Sequence, residues 1–128
     1  MILITPLLAA GCGSSDPQTT ARKVASLAAS THLVADARLA NAVSGRYAAQ
    51  LFQASAEQLT QLSKTLESSH LEAPTRTDAL QAASELQRVI RAMAASAEGD
   101  TAALRRDRAQ LEVLERTAKE LAASAGQQ

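Results

Sequence analysis

From Cys12 to the end of the chain only 23 of 117 residues are large and apolar: 14 Leu, 5 Val and one each of Ile, Met, Phe and Tyr. Alanine supplies much of the remaining hydrophobic character, with 29 copies in 128 residues. A chain so poor in bulky side chains cannot build a thick core, because each buried alanine removes little apolar area from water. Scarcity of this kind accompanies disorder when net charge is high. Here 13 basic residues balance 13 acidic ones, and Ala, Leu, Gln, Glu and Arg are strong helix formers. The expectation is an all-α domain of modest stability, with closely approaching helices and a margin that a partner or self-association would raise.

Proline punctuates the chain sparsely: after Pro17 the next is Pro74, and none follows. Residues 20–69 read as helix, with Val24, Leu27, Val34, Tyr47, Leu51, Leu59, Leu62 and Leu66 as the apolar positions. Leu59, Leu62 and Leu66 keep the three- and four-residue steps of one helical face. An uninterrupted helix over this stretch would run ~75 Å at 1.5 Å per residue, so a break is expected where Asn41, Ser44 and Gly45 interrupt the pattern. A stabilising Gly45→Ala would speak for a continuous helix, and a disruptive one would put Gly45 in a turn.

Residues 68–74 read as a loop. Thr75 with Asp78 suggests a capping box for the next helix, whose stripe is Leu80, Ala83, Leu86, Ile90, Met93 and Ala97. Gly99 is expected to end that helix in a left-handed conformation, and Asp100 to cap the last helix. The last stripe is Leu104, Asp107, Leu111, Leu114, Ala118, Leu121 and Ala125. Glu112–Arg116 and Glu115–Lys119 are set four apart in the favourable order on the opposite face. The fold class is therefore all-α, a small antiparallel bundle of three or four helices according to whether the Gly45 region breaks. The tight connection makes the C-terminal two a hairpin.

Residues 1–10 are apolar, uncharged and far too short for a membrane span of ~20 residues. They lead into Leu8-Ala9-Ala10-Gly11-Cys12. This segment resembles the lipobox of bacterial lipoproteins: Ala10 and Gly11 match its small residues and Cys12 its lipidated cysteine. Ala9 stands where that motif prefers Leu. No Lys or Arg precedes the run, which fits a signal whose basic start lies upstream of Met1.

The resemblance implies a signal peptide over 1–11, cleavage between Gly11 and Cys12, and a lipidated cysteine with a small polar leash over 12–20. A helical domain over 21–125 and a frayed tail over 126–128 complete the division. It also implies a lipid-anchored protein of the bacterial cell envelope, bound to the membrane through an acyl chain such as palmitate on Cys12. In a Gram-negative host, Gly13 after the cysteine implies the outer membrane, facing the periplasm. Lipid on the lone cysteine would also remove an exposed thiol.

Candidate chemistry in the helical part is sparse. His32 and Asp36 have ligand spacing on one helix, but a metal site needs three or four ligands. The other histidine, His70, falls in a loop, so no metal is expected. Arg105, Arg106 and Arg108 cluster near the start of the last helix, where the helix dipole disfavours cations; they are a candidate contact for anionic headgroups or an acidic partner. Asp107 is expected at the core's edge. No phosphate loop, Cys–His pair or nucleophile elbow is present, so no enzyme and no cofactor is expected. Zero net charge and two aromatic residues argue against nucleic acid. The function expected is a protein-interaction or assembly module. Two alternatives are a carrier of a small apolar ligand or lipid, and a self-assembling structural lipoprotein.

Overall fold

A computed structural model describes residues 17–125. Four helices follow one another: α1 (Pro17–Leu39), α2 (Gly45–Glu67), α3 (Ala73–Ser96) and α4 (Thr101–Ala125). Their lengths are 23, 23, 24 and 25 residues, and no strand occurs among the described residues. Each helix packs on its neighbours in the order α1–α2–α3–α4, and α4 closes the ring against α1. The result is an up-down-up-down bundle whose α3–α4 hairpin is the one the Gly99-Asp100 connection predicts. One end carries the 40–44 and 97–100 connections, the other Pro17, the 68–72 connection and Ala125.

The break between α1 and α2 is built by Asn41 rather than Gly45. Asn41 has φ 60°, a left-handed conformation that asparagine tolerates better than most residues. Ala42 N–H donates to Ala37 O at 2.7 Å and Asn41 N–H to Arg38 O at 3.0 Å. These two bonds form a Schellman ending. Ser44 then caps α2, its hydroxyl accepting from Tyr47 N–H. Gly45 is the first residue of α2 and its φ is not positive. What requires glycine there is contact: a Cβ would lie 2.7 Å from Ala97 O and from Glu98 Cα.

Several local expectations need correction. Pro17 to Thr20, read as the end of the leash, form the first turn of α1, and Thr20 is buried. α3 starts at Ala73, so Pro74 is inside its first turn, where a missing N–H costs nothing. Thr75 is then too far inside the helix to cap it, and Glu72 is the N-cap residue, without a side-chain cap bond. Gly99 is not left-handed. The turn tightens instead, with Gly99 and Asp100 N–H both directed to Ser96 O. Asp100 does cap α4, accepting from Ala103 N–H at 2.9 Å.

The core is layered from Phe52, Leu59, Leu66, Leu86, Val89, Ile90, Met93, Leu104 and Leu111, all almost fully buried. α1 contributes small residues to it: Ala21, Val24, Ala25, Ala28, Thr31 and Ala35. α2 turns Ala48, Phe52 and Ala56 inward, while Tyr47, expected on the apolar stripe, is exposed. Between α2 and α3 the Gln87 amide donates to Ala56 O at 2.9 Å and to the Thr60 hydroxyl. Arg38 reaches across the loop end to Ala97 O at 2.7 Å, satisfying a carbonyl that a helix end leaves without a partner.

Candidate functional site

His32, Asp36, Arg108, Glu115 and Lys119, singled out in the sequence, meet along the α1–α4 seam. His32 and Asp36 are one turn apart on α1 and therefore face the same neighbour. His32 Nδ1 lies 3.1 Å from Glu115 Oε1, and Nε2 lies 3.6 Å from Asp36 Oδ2, beyond hydrogen-bonding length. Asp36 in turn pairs with Arg108, whose guanidinium is held further toward the charged form chiefly by that hydrogen bond. Glu115 Oε2 takes Lys119 at 3.3 Å. Of the two charge pairs expected on α4, this one closes, and Glu112–Arg116 does not form among the described residues.

The seam is thus a chain of five groups: Arg108, Asp36, His32, Glu115 and Lys119. Its carboxylates sit on opposite edges of one imidazole, so the three cannot converge on a single ion. No group of three or more His, Cys, Asp or Glu side chains suited to a metal occurs among the described residues. The chemistry the seam supports is cross-linking of two helices by charge-assisted hydrogen bonds.

The same seam divides the arginine cluster. Arg108 is committed to Asp36, while Arg105 and Arg106 stay exposed. Of the three candidate arginines, two therefore remain available to solvent and Arg108 is engaged within the bundle. Asp107 is half-buried at the edge of the core, and its carboxyl is pushed above the ordinary aspartate value, first by burial, with Arg106 and Arg88 pulling it back. His70 lies in the 68–72 connection, where Ser69 and Leu71 are buried anchors and Arg76 donates to Leu71 O.

Two open grooves run along the outer faces. One, of about 520 Å³, lies between α3 and α4, with Asp78, Glu85 and Glu120 on its rims and Leu114 and Leu121 at its base. The other, of about 420 Å³, lies between α1 and α2, and Lys23 is its one charged lining residue; Leu27, Val34 and Leu51 alternate there with Ser26, Ser30 and Ser55. The apolar space within the bundle between Val24, Leu66, Ala79 and Ala118 holds about 10 Å³. That is far short of the ~300 Å³ at which ligand pockets begin.

The signal segment 1–11, the cleavage point Gly11–Cys12, the lipidation candidate Cys12 and the tail 126–128 lie outside the described residues. No described helix is long and apolar enough to cross a membrane. No family model, curated protein or solved structure matches this chain.

The signal that could have located the seam was present in part. His32 and Asp36 stand out as a pair, but Glu115 and Arg108 are 83 and 72 residues away from their partners. Only the antiparallel pairing of α1 with α4 brings them together.

Proposed function

We propose that this chain is a membrane-tethered, non-catalytic lipoprotein of the bacterial envelope whose helical bundle serves as a protein-interaction module. The observation that carries the reading is Leu8-Ala9-Ala10-Gly11-Cys12 standing five residues ahead of α1. Five residues of extended chain reach at most ~18 Å. A lipid on Cys12 would therefore hold the bundle close to the bilayer, with the Pro17, 68–72 and Ala125 end toward it. The thin, alanine-lined core supports an interaction role, since outer faces that keep aliphatic side chains gain stability when a partner covers them. The small interior space favours this reading over the carrier of an apolar ligand.

The test is lipid analysis of the protein made in a bacterial host. Mass spectrometry of the purified chain should show loss of residues 1–11 and acylation at Cys12, and the protein should sediment with membranes. Cys12→Ser should move it to the soluble fraction with its helicity unchanged. Unmodified Cys12, or membrane association that survives the substitution, would refute the tether.

A further inference from the structure

We propose that the α1–α2 outer face is where a second copy of this chain docks, forming a two-fold dimer of parallel bundles. The face belongs to the interaction module proposed above and names its partner. Three observations on it converge.

First, α1 keeps aliphatic side chains beyond its core face. That face is mostly alanine, with Val24 and Thr31, while Leu27 and Val34, partly buried against the core, also line the outer groove, and Leu33 is 70% exposed. Aliphatic side chains kept on the outer edge of a helix, away from its core face, give that helix a second side to bury. Leu33 is two turns beyond Ser26, on the same outward stripe. On α2, Tyr47, 52% exposed, stands one turn before Leu51 of the groove wall.

Second, charge is depleted over the middle of this face. Between Lys23 and Asp36 the only titratable residue of α1 is His32, which faces α4; between Arg46 and Glu57, α2 carries only the Tyr47 phenol. The α3–α4 groove, by contrast, is rimmed by Asp78, Glu85 and Glu120. Loss of charge with retention of aliphatic and aromatic side chains marks the centre of an interface.

Third, the face carries both a knob and a hole. Leu33 projects beside a groove lined by the partly buried Leu27, Val34, Leu51 and Ser55, with Ser30 and Ala54 exposed on its rims, so a two-fold rotation can place the Leu33 of each copy in the groove of the other. Such reciprocity is the requirement of an isologous contact. Two ~35 Å helices side by side present roughly 700 Å², close to the ~800 Å² per partner of a standard interface. A charged partner would find almost nothing to pair with. The parallel direction follows from the tether: only a two-fold axis along the bundle leaves both Cys12 residues at one membrane.

The experiment is sedimentation equilibrium of the full chain purified in mild detergent, alongside full-length Cys12→Ser without detergent. The expected protein mass is twice that of one chain. Leu33→Asp combined with Ser30→Asp, both at exposed positions, should weaken association more than about tenfold with unchanged circular dichroism. Val113→Asp, at an exposed α4 position outside the face, should leave the dimer intact. An amine-reactive crosslinker should join Lys23 to Lys23, a product that can arise only between copies. A monomer up to concentrations of ~100 µM, or a dimer lost through Val113→Asp and not through the α1 pair, would overturn the proposal. A dimer without the Lys23–Lys23 product would overturn the parallel arrangement. Absence of lipid on Cys12 with the doubled mass retained would refute the tether alone, so the two failures are distinct.

Discussion

Replacing Gly45 by alanine tests the packing of the loop end of the bundle. In an isolated helix the change is favourable, by up to ~1 kcal/mol, because glycine loses more backbone freedom on folding. Here the added methyl would stand 2.7 Å from Ala97 O, 2.7 Å from Glu98 Cα and 3.2 Å from Ala97 C. All three are backbone atoms and cannot rotate away. Ala97 O also accepts from Arg38, so retreat of the 97–98 turn would stretch that bond. Overpacking of this kind costs about 1–3 kcal/mol, and a strained hydrogen bond adds about 1 kcal/mol. Against the helix-propensity gain the net expectation is a loss of about 1–3 kcal/mol. With a urea m-value of about 2 kcal/mol/M, the unfolding midpoint should fall by roughly 0.5–1.5 M. Far-UV circular dichroism at each urea concentration reads this directly. A Gly45→Ala protein as stable as the parent, or more so, would refute the close approach of α2 to the α3–α4 turn.

Phe52 is fully buried in a core with few large residues, so Phe52→Ala should cost about 3–5 kcal/mol, visible as a collapse of the thermal midpoint in calorimetry. Arg108→Ala and Asp36→Asn should each cost under about 1 kcal/mol, since both groups keep solvent contact; a double-mutant cycle by urea denaturation should show that the two losses are not additive. Asp107 has its carboxyl raised above 3.8, chiefly by burial. Folding then favours the neutral acid, and this contribution is complete below 3.8 and lost as pH rises through the higher folded value. Asp107→Asn should accordingly raise the melting temperature at neutral pH and leave it unchanged at pH values where the carboxyl is protonated in both states, as differential scanning calorimetry across pH would show.

The all-α class and the α3–α4 hairpin were legible because their signals are local, whereas the choice between three and four helices stayed open and is decided by the Asn41 ending of α1. Asp100 caps α4 where an N-cap residue is expected, and the stripe from Leu104 to Ala125 keeps its spacing. The inner face of α1 was legible only in part. Val24 is buried and Leu27 and Val34 pack partly buried against the core, while alanines fill most of that side. Alanine is compatible with either environment, so its periodicity carries little information on which face is buried. Tyr47 misled for the same reason, since the neighbouring Ala48 and Phe52 hold the buried positions. Pro74 and Gly99 were read as breakers, and both are accommodated in ordinary backbone: one in a first turn, the other in a tight turn without positive φ. The seam joining His32, Asp36, Arg108 and Glu115 depended on which helices become neighbours, a property of the assembled bundle and not of any single segment.

Gln87 has a further consequence. Surfaces rich in alanine and leucine are nearly repetitive, and a helix on such a surface can slide by three or four residues with little change in apolar contact. The Gln87 amide, bonded to Ala56 O and the Thr60 hydroxyl, is a discrete feature on that smooth seam. Any slip would strand a half-buried amide, at about 1–3 kcal/mol. One glutamine thus helps set the alignment of α2 against α3 and gives a low-contrast core a preferred packing.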